Sequence, residues 1–137
     1  MNTTWHIEAN SADTELGWSV VGTSLEAAWP YFFSCISLQK YPELINAATK
    51  EVGYDSNGIG VSFPADVASL DPLNSSLAPD AVEVYVPGFE DSILPRATFY
   101  SILLAFGEHL LKQPNQTPVW YEAQRQALAE LKNKGGE

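Results

Sequence analysis

Four short segments of this chain alternate apolar and polar residues with period two, a spacing that narrows the possible folds more than anything else in it. Successive side chains of a strand point to opposite faces, so period two marks a strand with one buried face. Trp5, Ile7 and Ala9 point one way, His6 and Glu8 the other. Leu16, Trp18 and Val20 repeat the pattern after Asn10-Ser11-Ala12-Asp13, whose composition suits a turn, and the two segments predict a hairpin. Ile59, Val61 and Phe63 follow an Asp55-Ser56-Asn57-Gly58 turn. Val82, Val84 and Val86 alternate with Glu83 and Tyr85 until Pro87-Gly88 ends the run.

Helical periods fill the remaining stretches. Thr23 and Glu26, three residues apart, have the spacing of a capping box. Pro30 lies past the first turn of that helix and predicts a kink there or its true start. Pro42 suits the first turn of a second helix carrying Leu44, Ile45, Ala48 and Val52, with Gly53 at its C-terminal end. Phe99, Ile102, Leu103, Phe106 and Leu110 share one face of a third helix, widened by Tyr100, Leu104 and Leu111. Thr117-Pro118 opens a fourth, with a narrower stripe of Trp120, Ala123, Ala127 and Leu131.

The order ββααββαα predicts an α+β fold in which a mainly antiparallel sheet of about four strands packs against about four helices. With 137 residues and four tryptophans the chain has the material for one core, so residues 1–137 are expected to form a single domain. The stretch from Pro64 to Asp80 reads as a long functional or mobile loop, and the tail from Lys132 to Glu137 is expected to fray.

Charge excludes several function classes. The chain has 17 Asp and Glu against 7 Lys and Arg, a formal net charge of −10, and up to Leu111 its only cations are Lys40, Lys50 and Arg96. Such a body repels phosphate backbones and anionic lipid and attracts a basic protein, so neither nucleic acid nor membrane is an expected partner. No uninterrupted apolar run is long enough to span a bilayer and the N-terminus lacks a signal-peptide pattern, which leaves a cytoplasmic location as the expectation. Cys35, the only cysteine, sits in an apolar run and reads as a buried structural thiol.

The catalytic inventory is thin. His6 falls on the outer face of a strand and His109 near a helix C-terminus, and neither has a partner at metal-ligand spacing. The Asp55-Ser56-Asn57-Gly58 segment lacks the later ligands of a calcium loop. No phosphate-binding glycine loop or nucleophile elbow occurs. Hence no enzyme activity, metal or cofactor is expected. What remains is an acidic surface: Asp66, Asp71 and Asp80 punctuate the long loop, Glu90 and Asp91 follow the fourth strand, and Glu15, Glu26 and Asp55 lie in or near other turns. Tyr41, Tyr54, Tyr85 and Phe89, if exposed beside these acids, could anchor a partner. Asp55, Asp66, Asp71, Asp80, Tyr85, Phe89, Glu90 and Asp91 are the candidate partner-binding residues.

The run Val82-Glu83-Val84-Tyr85-Val86-Pro87-Gly88-Phe89-Glu90-Asp91-Ser92-Ile93, feeding into Phe99-Tyr100-Ser101-Ile102-Leu103-Leu104-Ala105-Phe106, resembles a unit found in several immunity proteins of bacterial polymorphic toxin systems. These include the contact-dependent growth inhibition immunity proteins. The resemblance covers about thirty residues, a strand, a Gly-Phe turn and a long amphipathic helix. It implies a cytoplasmic inhibitor that binds and neutralises the cognate toxin domain of its own system, commonly a basic nuclease. No binding residue is set by the family's motif, so the candidates rest on charge alone. The alternative is an acidic cytosolic chaperone for a secreted protein, although an opening β-hairpin is unlike the usual secretion-chaperone layout. A small-ligand binder or enzyme comes third.

Overall fold

The computed structural model describes residues 5–9, 16–22, 29–64, 79–114 and 116–135. The capping box at Thr23 and Glu26, the turn from Asn10 to Asp13, Glu15, and most of the loop after Pro64 with Asp66 and Asp71 lie outside the described residues.

The predicted opening hairpin is present. Strand β1 (Trp5–Ala9) pairs antiparallel with β2 (Trp18–Gly22), Ile7 opposite Val20 and Ala9 opposite Trp18. Helix α1 (Trp29–Cys35) carries Pro30. A 3₁₀ turn (Leu38–Lys40) leads into α2 (Tyr41–Thr49), with proline in the first turn.

The exit from α2 departs from expectation. The N–H of Val52 bonds to the Ala47 carbonyl at 2.9 Å and that of Glu51 to the Ala48 carbonyl at 3.0 Å, the paired bonds of a Schellman ending. Glu51 therefore takes the left-handed position, φ 56°, that Gly53 was expected to occupy two residues later. Val52 consequently leaves the helix and is half exposed, not part of the buried stripe.

Two hairpins then form the main sheet. Strands β3 (Tyr54–Ser56) and β4 (Ile59–Ser62) are joined by Asn57-Gly58, with φ 58° and 85°, the two positive angles of a type I′ turn. Strand β5 (Ala81–Tyr85) pairs with β4, and β6 (Ser92–Pro95) with β5, giving an all-antiparallel sheet in the order β3-β4-β5-β6. The fold is thus α+β, with six strands in two antiparallel sheets among the described residues. β3 and β6 add to the four segments anticipated.

The core lies between this sheet and the helices. Ile59, Val61, Val82, Val84 and Leu94 face inward, and α1 and α3 (Arg96–Leu110) pack near them. The predicted stripe of α3 is buried at every position: Phe99, Ile102, Leu103, Phe106 and Leu110 have no exposed surface. Helix α4 (Pro118–Gly135) closes the core against α2 and α3. Thr117 caps it, its hydroxyl accepting from the Trp120 N–H at 3.1 Å, and the Trp120 indole N–H reaches the Leu38 carbonyl at 2.9 Å. Gln124 is the buried polar side chain of α4, and its amide donates to the Gly107 carbonyl at 3.1 Å. The lysine-rich end expected to fray continues α4 to Gly135.

Candidate functional site

The register of the main sheet explains how the candidate residues come together. Asp55 lies opposite Gly60, and Gly60 opposite Tyr85, so one row across three strands reads Asp55, Gly60, Tyr85. With no side chain in the middle, the Tyr85 ring lies over Gly60 and its hydroxyl donates to Asp55 Oδ2 at 2.9 Å. Asp55 Oδ1 accepts from the Gly58 N–H at 3.3 Å and ties the same carboxylate to the hairpin turn. Burial, then the hydrogen bond to and charge of Asp55, push the Tyr85 phenol up to about 12. It stays a neutral donor throughout the physiological range.

Because side chains alternate, Ser62, Glu83 and Ile93 share this outer face with Asp55 and Tyr85. Ile93 is 62% exposed, an apolar side chain held out from the sheet. At the end of the sheet the two turns meet, since a Cβ on Gly58 would lie 3.6 Å from Pro87. Pro87 begins the β5–β6 turn, which carries Phe89, Glu90 and Asp91, all exposed. Phe89 stacks on Tyr31 of α1 with ring centroids 4.9 Å apart, and both rings keep about two fifths of their surface in solvent. Tyr31 escaped the sequence reading because it lies in a uniformly apolar run. Its position directly after Pro30, on the solvent side of α1, is the signal that could have found it.

Five of the candidates therefore gather at one end: Asp55, Tyr85, Phe89, Glu90 and Asp91. Asp80 does not join them. It precedes β5, at the opposite end of that strand, where its carbonyl accepts the Arg96 N–H. Tyr41, expected as an exposed anchor, is fully buried, its hydroxyl bonded to the Phe33 carbonyl. Tyr54 is half-buried and packs against the core. Cys35 is exposed at the end of α1, not buried, although the surrounding protein pushes its thiol pKa up.

Asp80 instead borders an open groove of about 470 Å³ lined also by Glu51, Pro95, Arg96, Tyr100 and Lys134. Glu51 Oε1 pairs with Arg96 Nη1 at 2.5 Å and Oε2 with Lys134 Nζ at 3.1 Å, all about one third exposed. The ion pairs hold in place a glutamate whose backbone occupies a position favouring glycine, and they tie the end of α4 to the end of α2. The hydrogen bond from Lys134, supported by both positive charges, lowers the Glu51 pKa. A carboxylate lowered on folding stabilises the protein fully above its unfolded value and loses that contribution as pH falls through the folded value. Glu51→Gln is accordingly expected to lower the thermal midpoint at neutral pH, with the gap to wild type closing as pH drops below about 4. Thermal melts of both proteins across that window measure it.

Compared with known proteins, the chain matches no family model, no curated protein and no solved structure. Among the described residues no helix is long and apolar enough to cross a membrane. Fold and surface together define an α+β protein with acids and exposed aromatic rings assembled at one end of its main sheet.

Proposed function

We propose that this chain is an immunity protein that binds and neutralises a basic toxin domain, using the sheet end formed by Asp55, Tyr85, Phe89, Glu90 and Asp91. The observation that carries this reading is the exposed Tyr31–Phe89 stack beside Glu90 and Asp91 of the β5–β6 turn, at the end of the sheet that also holds Asp55. The two components do different work. Acids at the rim of an interface steer an oppositely charged partner and accelerate encounter, while aromatic side chains that become desolvated hold it. The stack is made before binding, so the partner meets rings already ordered against each other. The −10 net charge adds a long-range field of the same sign.

Co-expression with the toxin-like domain encoded immediately upstream tests the reading, with growth and co-purification as readouts. Restored growth and a one-to-one complex are expected. Continued toxicity without a complex would sink it. Within such a complex, Phe89→Ala is expected to raise Kd by roughly 30-fold or more, mainly through faster dissociation. Glu90→Lys with Asp91→Lys is expected to slow association by about tenfold at low salt and to flatten its salt dependence. Surface plasmon resonance at two ionic strengths separates the two effects.

A further inference from the structure

We infer that β1 is a self-pairing edge, through which two copies of this chain join their opening hairpins into one four-stranded antiparallel sheet across a two-fold axis. The inference begins with how the sheet edges are protected. Exposed strand edges invite pairing, and proteins blunt them with short strands, proline, charged side chains (lysine above all), bulges or a covering element. On the main sheet, β3 has three residues, and β6 ends in Pro95 and runs straight into α3. On the small sheet, β2 is flanked: Trp29 and Pro30 crowd Gly22, and the Gln113 amide donates to the Leu16 carbonyl. β1 is different. It has five residues, Trp-His-Ile-Glu-Ala, with no proline, glycine or lysine, and among the described strands it pairs only with β2.

The strand is also complementary to itself. Residues paired across an antiparallel ladder share a face, so β1 can meet its copy without mixing faces only if the paired numbers sum to an even value. Pairing about His6 sets His6 against His6, and pairing about Glu8 sets two carboxylates against each other. Pairing about Ile7 uses all five residues. It puts His6 opposite Glu8 of the second copy, Trp5 opposite Ala9, and Ile7 opposite Ile7. Unlike side chains meet on the outer face, and a large ring meets a small methyl on the inner one. The two residues already face each other within one strand, His6 Nε2 lying 3.5 Å from Glu8 Oε1 with both side chains well exposed. In the pair, four such groups alternate across the axis. The same backbone register serves whichever set of β1 N–H groups points away from β2, because a centre on a residue preserves parity. An isolated two-stranded hairpin is marginal, and the pairing doubles its strand number.

Five residues span only about 17 Å, so the interface is small and the dimer is expected to be weak, with Kd in roughly the micromolar to submillimolar range. Sedimentation equilibrium of the wild-type chain from about 1 to 500 µM is expected to show a monomer–dimer equilibrium. Glu8→Lys and His6→Glu, each made alone, alter two symmetry-related pairs and are expected to weaken the dimer roughly fivefold or more. His6→Glu combined with Glu8→Lys places opposite charges across the axis and is expected to restore it. In a Cys35→Ser background, oxidation is expected to cross-link Ile7→Cys but neither His6→Cys nor Glu8→Cys, since only residue 7 meets its own copy. A chain that stays monomeric over the whole range overturns the inference. So does a dimer indifferent to both single charge changes, or one cross-linked through residue 6 or 8.

Discussion

Truncating Phe99 to alanine is expected to destabilise the protein by about 3–5 kcal/mol, which in a domain of this size is a large part of the total. Phe99 is fully buried in the first turn of α3, and its ring meets those of Phe33 at 5.8 Å, Phe32 at 6.1 Å, Phe63 at 6.4 Å and Tyr100 at 6.5 Å. These partners come from α1, from the residue after β4 and from α3 itself. One ring therefore joins the sheet side of the core to two helices, and no single neighbour can collapse into the space it leaves. Tilted and edge-on aromatic pairs add about 0.5–1.5 kcal/mol each beyond the area they bury. Equilibrium unfolding in urea is the measurement: the midpoint drops sharply, and an unchanged slope would place the effect in packing and not in a looser native state. A loss below about 1 kcal/mol would show that the aromatic cluster rearranges around the gap.

Gly60→Ala is expected to cost up to about 3 kcal/mol and to dismantle the outer face at the same time. A Cβ at this position would lie 2.4 Å from the Tyr54 carbonyl oxygen and 2.5 Å from the Tyr85 hydroxyl. The tyrosine can swing aside, but the carbonyl belongs to the backbone of the neighbouring strand and cannot. Relief therefore requires β3 to separate from β4, and displacing Tyr85 breaks its bond to Asp55. The phenol then loses the cover and the carboxylate that push its pKa to about 12. An ultraviolet titration of tyrosine is expected to show one more residue ionising nearer the ordinary value of about 10. Tyr85→Phe separates the contributions, because it removes the hydrogen bond without straining the strand. If Gly60→Ala matches wild type in both stability and titration, the row across the sheet does not carry this constraint.

The parts of the fold legible in the sequence are those where periodicity is long and one face is buried. The α3 stripe runs over twelve residues and the hairpin of β1 and β2 alternates, so both stand out from composition. β3 and β6 did not, because three or four residues hold too few alternations to separate a strand from a turn. The α2 exit was misplaced for a specific reason. Glycine is the usual left-handed residue, yet Glu51 takes that position, held by Arg96 and Lys134, which lie 45 and 83 positions away along the chain. No local pattern carries that information. The candidate site was half legible for a related reason. Acids and aromatics near turns could be named from their positions, but which turns share an end of the sheet depends on strand order. That order unites Asp55 with Tyr85 and sends Asp80 to the far side.

The seating of α4 also bears on how the chain folds as it is made. Trp120 bonds to Leu38, Gln116 to Gln39 and Lys134 to Glu51, each pair separated by more than seventy-five residues. Helix α2 therefore leaves the ribosome with an apolar face whose covering helix has not been synthesised. At about 5–20 residues per second, closing that face waits several seconds for Pro118–Gly135 to emerge. During that interval Leu44, Ile45 and Ala48 are open to chaperones and proteases, and a nascent chain stalled before Pro118 would remain so.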